Sequence, residues 1–254
     1  MASFRLLTRA DDAGLNRTTN RAIRATVKQG IVKNVSVLAT APKLEDAADL
    51  LLDLGDLVDF GLHVCLTSEW VQPSFTPVSD AVNNLVEGGA FPANLDELAA
   101  LEPDADDVAA EISAQLERLT SLGFKITYID EHMLIGDITS VRNGIVQVAS
   151  DASLVYNREL IETGDVVMVP GWTGPGPHPG TELADQLSGL EWGTYLVVGH
   201  PGFKADEMQS LTSRSGAERD IMQERNRDRR MFADIEIVDY CDYAGVTLIR
   251  YSDV

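Results

Sequence analysis

Short apolar runs with strand-like alternation interleave with apolar residues at helical spacing from one end of this chain to the other, and that alternation most limits what it can fold into. Phe4 to Ala10 reads as a strand that stops at Asp11-Asp12. Thr18 to Gln29 reads as a helix with Ala22, Ile23 and Val27 on one face and Gly30 as its stop. Val35 to Ala39, Val58 to Leu66, Ile126 to Ile129, Val166 to Val169, Tyr195 to Val198 and Val246 to Tyr251 read as further strands. Leu44 to Leu54, Asp106 to Leu122, Val141 to Ser150 and most of Arg214 to Tyr240 read as helices. Strand–helix alternation favours a parallel sheet, and seven or eight such units favour a barrel over an open sheet. No internal repeat or low-complexity linker divides the 254 residues, so one domain is expected. Two long loops, Thr67 to Asp104 and Pro170 to Gly180, have the length and Pro/Gly content of segments that line a site.

Charge narrows the function. Forty acidic residues oppose twenty basic ones, for a net charge of −20. Such a surface repels phosphate backbones and anionic membranes, so neither nucleic acid nor membrane is expected as a partner, whereas a neutral saccharide would not be repelled. Cys65 and Cys241 form no disulfide framework, and the N-terminal residues lack the apolar stretch of a secretion signal. A cytoplasmic location is the expectation, and a homodimer remains open.

The chemistry-bearing residues cluster at strand ends, where parallel α/β folds place their sites. Asp11 and Asp12 end the first strand. One of two consecutive carboxylates can ligate a metal while the other faces an attacking water, but an acidic turn reads the same way. His63 lies between apolar neighbours and reads as a ligand or as a satisfied core histidine. Asp130 and His132 share a face if the chain stays extended, which suits Asp130 to orienting a histidine ligand. His200 precedes Pro201-Gly202, at a turn where an imidazole can serve as general acid or merely shape the turn. Arg9, two residues before Asp11, either shares its face and keeps it ionised or is a surface arginine. Trp70 and Trp172 are candidates for stacking on a sugar, with packing as the alternative. The arginines Arg214, Arg219, Arg225, Arg227, Arg229 and Arg230 read as ion-paired with helical neighbours such as Glu218 and Glu224.

Four blocks together carry a resemblance: Ala10-Asp11-Asp12-Ala13-Gly14-Leu15, Gly61-Leu62-His63-Val64-Cys65-Leu66-Thr67, Tyr128-Ile129-Asp130-Glu131-His132 and Gly199-His200-Pro201-Gly202. In order and spacing the chain resembles the YdjC-like (ChbG-type) carbohydrate deacetylases, relatives of the polysaccharide deacetylases. The resemblance implies an α/β fold of distorted (β/α) TIM-like barrel type over residues 1–254. It implies a metal held by Asp12, His63 and His132, with Asp11 as general base and His200 as a second site residue. It implies an N-acetylated mono- or oligosaccharide, chito-oligosaccharide-like, as substrate. The family usually has Asn at Arg9, Phe at Ala13, and His at Tyr128 and Leu134, so the surroundings of the inferred triad are altered. The donors suit zinc, with manganese or cobalt as alternatives, although family members are commonly described with magnesium. Hydrolysis of another amide or an ester, and a non-catalytic sugar-binding relic, are the competing readings. A pure binder has no need of a spare carboxylate at Asp11.

Overall fold

The computed structural model describes residues 4–80, 82–214, 216 and 219–254, so the expected pairing partner Glu218 lies outside the described residues. The strands are β1 (Phe4–Ala13), β2 (Asn34–Val37), β3 (Asp59–Val64), β4 (Ile126–Glu131), β5 (Val155–Tyr156), β6 (Val167–Met168), β7 (Gly193–Gly199) and β8 (Thr247–Ile249). The helices are α1 (Arg17–Gln29), α2 (Leu44–Leu51), α3 (Leu95–Ala100), α4 (Ala105–Ser121), α5 (Thr139–Asp151), α6 (Asn157–Thr163), α7 (Pro179–Ser188), α8 (Asp206–Gln209), α9 (Ile221–Ala233) and α10 (Ile235–Ala244).

All strand pairs are parallel, in the order β5-β4-β3-β2-β1-β7-β6. On one edge β1 pairs with β7 from Phe4 to Ala10. The other edge is shared: β8 takes Arg5–Leu7, and β2 takes the run from Arg9 to Ala13. No pairing joins β5 to β6 among the described residues, which leaves the sheet a curled, distorted α/β barrel with an open seam. No helix among the described residues is long and apolar enough to cross a membrane.

Period-two alternation sets what each strand turns toward the barrel axis. Leu6, Thr8 and Ala10 are fully buried on one face of β1, and Leu7, Arg9 and Asp11 occupy the other. Leu7 joins Tyr128, Val166, Leu196, Ile249 and Tyr251 in a small apolar cluster separate from the main core between sheet and helices. Tyr128 stacks on Tyr251 with ring centroids 4.0 Å apart and shares a hydrogen bond with Ser36 Oγ at 2.9 Å. Its ring lies so close to Gly61 that a Cβ there would meet it at 2.2 Å, so only glycine fits. Tyr128 therefore fills the barrel floor rather than a wall of the cavity above it, contrary to the expectation that it alters the site lining.

Four expected boundaries differ. β1 runs through Asp11 and Asp12 to Ala13 instead of stopping at the pair, because parallel pairing with β2 persists to Ala13 across a shift in register. The long loop after β3 contains α3, capped by the Asn94 side chain. The Pro/Gly-rich loop gives way to α7, whose first residue, Pro179, needs no amide hydrogen there. The arginine-rich helix starts only at Ile221 and breaks at Asp234, whose extended backbone separates α9 from α10.

Candidate metal centre

The mouth of the barrel at the strand C-termini holds a cavity of about 850 Å3. Asp11 and Asp12 both line it, although consecutive residues of a regular strand face opposite ways. A bulge resolves the conflict. Asp12 takes a left-handed backbone, φ 69°, at the point where the β1–β2 register shifts. That conformation costs a non-glycine residue on the order of 1 kcal/mol. It is held from below: the Asp12 carbonyl accepts from the Leu15 amide at 3.1 Å, and the Gly14 amide donates to Asn20 Oδ1 at 2.7 Å. Gly14 itself sits at φ 101° with Ala41 and the Leu38 carbonyl close by, so a side chain there is excluded twice over.

Three side chains converge. His63 Nε2 lies 3.6 Å from Asp12 Oδ1, His132 Nδ1 lies 3.5 Å from the same oxygen, and the two nitrogens are 3.3 Å apart. Three atoms about 3.5 Å apart share a point about 2.0 Å from each, which is the ligand distance of zinc or magnesium. The other face of each donor is already occupied. His63 Nδ1 is 2.9 Å from Asp130 Oδ2, and His132 Nε2 is 3.0 Å from Glu69 Oε2. A ring hydrogen on each of those nitrogens leaves His63 Nε2 and His132 Nδ1 as bare acceptors. Asp12 Oδ2 accepts from Arg225 Nη2 at 2.7 Å, whereas Oδ1 is buried with no hydrogen-bond partner. In those tautomers three lone pairs face one point, an arrangement that a cation satisfies.

The local charge agrees. Asp11, Asp12, Asp130 and Glu69 face only two guanidiniums, Arg9 and Arg225, in this cluster. With both histidines neutral, two negative charges remain uncompensated, the complement of one divalent ion.

Asp11 stands beside the triad with a different partner. Arg9 grips it twice, Nε to Oδ1 at 2.7 Å and Nη2 to Oδ2 at 2.9 Å, and also reaches Asp130 at 3.0 Å and the Tyr251 hydroxyl at 3.3 Å. Burial works to raise the Asp11 pKa, but Arg9 and His63 outweigh it and the carboxyl is held below its ordinary range. Arg9 is accordingly a buried hub and not a surface residue. His200, at the end of β7, lines the same cavity. Its amide donates to Asp228 Oδ2 at 2.8 Å, and its Nδ1 lies 3.6 Å from that oxygen. Desolvation lowers the His200 pKa, yet Asp228, Asp12 and Asp11 more than offset it and the imidazolium is favoured beyond its usual range.

Glu69, Arg225 and Asp228 were missed as site residues in the sequence. Glu69 follows His63 by six positions in a loop and carries no local signature. Arg225 does not pair with its helical neighbours as expected: it is buried, bonded to Asp12 and placed over the Trp70 ring at 5.8 Å. Trp70 lines the cavity. Trp172 packs against the main core instead and is absent from the lining, because its loop turns back onto the sheet, with its amide bonded to the Val169 carbonyl.

The Glu69 contact makes a direct prediction. Glu69→Gln weakens the acceptor that fixes the His132 ring, and divalent-ion affinity measured by calorimetry falls about 10- to 100-fold with little change in melting temperature of the ion-free protein.

A profile of the family described as YdjC-like protein matches residues 5–243. The chain belongs to the YdjC-like family. Two curated relatives of this YdjC-like chain bear the name carbohydrate deacetylase. That of Thermoanaerobacter pseudethanolicus is 26% identical over 97% of this chain and 98% of its own length. That of Geobacillus stearothermophilus is 30% identical over 96% and 95%. Among solved structures, a candidate cellobiose-phosphate cleavage protein of Enterococcus faecalis V583 superposes with a TM-score of 0.79 at 19% identity, covering 99% of this chain and 98% of that one. A CE4 family pseudoenzyme from Bacillus anthracis gives 0.51 at 10% identity, covering 99% and 65%. Both likenesses are of fold alone.

Proposed function

We propose that this YdjC-like protein is a carbohydrate deacetylase that hydrolyses the acetamide of an N-acetylated, chito-oligosaccharide-like saccharide with the help of one divalent cation held by Asp12, His63 and His132. The observation that carries the reading is the convergence of three buried donor atoms within 3.6 Å of one another, one of them the unpartnered Asp12 Oδ1, beside the separate carboxylate of Asp11. Its curated relatives named carbohydrate deacetylases support the substrate class. Zinc or magnesium suits the site, with manganese and cobalt as alternatives.

When bound, the cation supplies Lewis acidity, polarising the amide carbonyl and acidifying a water. The remaining work falls to the chain. Asp11, kept ionised by Arg9, accepts the proton of the attacking water on a free lone pair of its carboxylate. Asp130 holds the His63 ring and Glu69 the His132 ring, so neither imidazole needs to reorganise during turnover. His200, protonated with Asp228 beside it, donates to the departing amine. Asp228→Asn removes the largest of the three contacts that raise the His200 pKa, so the protonated acid is lost at lower pH. The alkaline limb of the kcat profile therefore moves to lower pH, while the acid limb stays in place.

The test is acetate release from N-acetylated chito-oligosaccharides by the purified protein, with chelator and with ion added back. Release that survives rigorous chelation defeats the metal assignment. Acetate from simple esters but not from sugar amides moves the reading to another acyl substrate. Saccharide binding without any release marks a relic.

A further inference from the structure

The cavity has two unlike walls. One is mainly polar, built from Glu69, Asn94, Glu97, Arg214 and Glu224 in the segment between β3 and α4 and around the start of α9, with Trp70 among them. The other is apolar and lies at the open seam of the sheet: Met133 and Leu134 just past β4, Ile161 on the helix that joins β5 to β6, Met168 in β6 and Val198 in β7. Among the described residues β6 pairs with β7 alone, which leaves its outer edge unpaired, and Met168 is 44% exposed within a strand. Met133 and Leu134 are 45% and 63% exposed, while the triad below them is at most 6% exposed.

These two side chains are not on a floppy tip. Both residues adopt a left-handed backbone, φ 59° and 55°, in the tight turn His132–Asp137. Arg158 grips the turn's base by pairing with Glu131 at 2.6 Å and with Asp137 at 2.8 Å, and Glu131 also accepts from the Gly136 amide at 2.8 Å. Backbone strain of this kind persists only where the surroundings impose it. Here its effect is to hold two large apolar side chains in solvent at the mouth of the cavity, directly after the ligand residue His132.

We propose that the seam wall receives a hydrocarbon aglycone, so that the substrate is an N-acetylated amino sugar glycosidically linked to an apolar chain. The assignment rests on the deacetylase reading in one respect. With the acetyl group at the buried triad, it is the sugar side of the substrate that extends to the mouth, and the polar wall takes the hydroxyls while the seam takes what the sugar carries. An apolar wall of exposed side chains stabilises nothing in the free protein and gains only when covered.

Calorimetry on the full chain with methyl and octyl N-acetyl-β-D-glucosaminide, the latter below its micellar concentration, tests this independently of turnover. The octyl glycoside is expected to bind at least tenfold more tightly, the gain that about two fully buried methylenes confer. The double variant Leu134→Ser, Met168→Ser is expected to reduce that preference at least threefold. Equal or undetectable binding of the two glycosides overturns the proposal, as does a preference that the double variant leaves intact. A methyl glycoside bearing an N-octanoyl group is the third ligand, and tighter binding of this compound than of the octyl glycoside overturns the assignment to the sugar side. Octyl preference without acetate release from either acetylated glycoside with zinc, magnesium, manganese or cobalt supplied in turn defeats the deacetylase reading and leaves the seam assignment standing.

Discussion

Asp11→Asn is expected to lower kcat by about 10³-fold while leaving divalent-ion affinity within about threefold of the parent. Asp11 accepts two bonds from Arg9 and, although it lies with His63 and Asp130 in a second group of close donors, makes none of the three contacts that define the triad. An asparagine keeps the shape and can accept one guanidinium hydrogen, but its amide is not a base. Arg9 keeps its other partners, Asp130 and Tyr251, so the hub is loosened and not emptied. Asp12→Asn provides the contrast. Its Oδ1 is the triad oxygen, and replacing the charge leaves Arg225 buried opposite a neutral amide, so ion binding and turnover fall together. Parallel measurement of kcat and of ion affinity by calorimetry separates the two roles. Loss of ion by Asp11→Asn as complete as by Asp12→Asn would show that the two carboxylates act as one ligand set.

What the sequence disclosed follows from what each feature depends on. Period-two reading of Arg9 with Asp11, or of Asp130 with His132, needs only the geometry of an extended chain, and the members of each pair do meet: Arg9 bonds to Asp11, and Asp130 and His132 both lie against the His63 ring. Strand and helix order was legible for the same reason. The Asp11-Asp12 pair was legible as chemistry but not as geometry, because alternation sends the second carboxylate away from the first. It returns through a left-handed residue in a local turn closed by the Leu15 amide and braced by Asn20, which holds the Gly14 amide only once α1 has packed. Arg225, 213 residues from its partner Asp12, was hidden for a stronger reason. In an arginine-rich stretch, local charge pairing explains every member equally well, and only tertiary packing selects the one that turns inward. Glu69 was hidden by its loop, where no periodicity exists to aim it. The two tryptophans show the same limit: both sit in loops with equal stacking potential, and the fold brings Trp70 to the cavity and Trp172 to the core.

Arg225→Met carries the second large effect, and its sign depends on whether the ion is present. Arg225 is buried, and its bond to Asp12 Oδ2 is the direct cationic contact of a carboxylate that is itself 1% exposed. Burial works to raise the Asp12 pKa, but that contact, together with His132 and His200, outweighs it and holds the carboxyl well below its ordinary range. Removing one partner of such a pair leaves an uncompensated buried charge and costs about 3 kcal/mol or more. Methionine preserves much of the packing over Trp70, so the loss is chiefly electrostatic. A divalent ion at the triad supplies the missing positive charge from the other side of the same carboxylate. Thermal unfolding in chelator should therefore show a drop of several degrees in Arg225→Met, and saturating zinc should recover most of it. With Oδ2 released, Asp12 would offer a second oxygen to a cation held by the triad, which would strengthen ion binding and crowd the space that water and substrate need. Ion affinity is thus expected to hold or rise as kcat falls, the opposite of the Glu69→Gln pattern. Equal destabilisation with and without ion would reduce Arg225 to a packing residue over Trp70 and remove the electrostatic link between α9 and the triad.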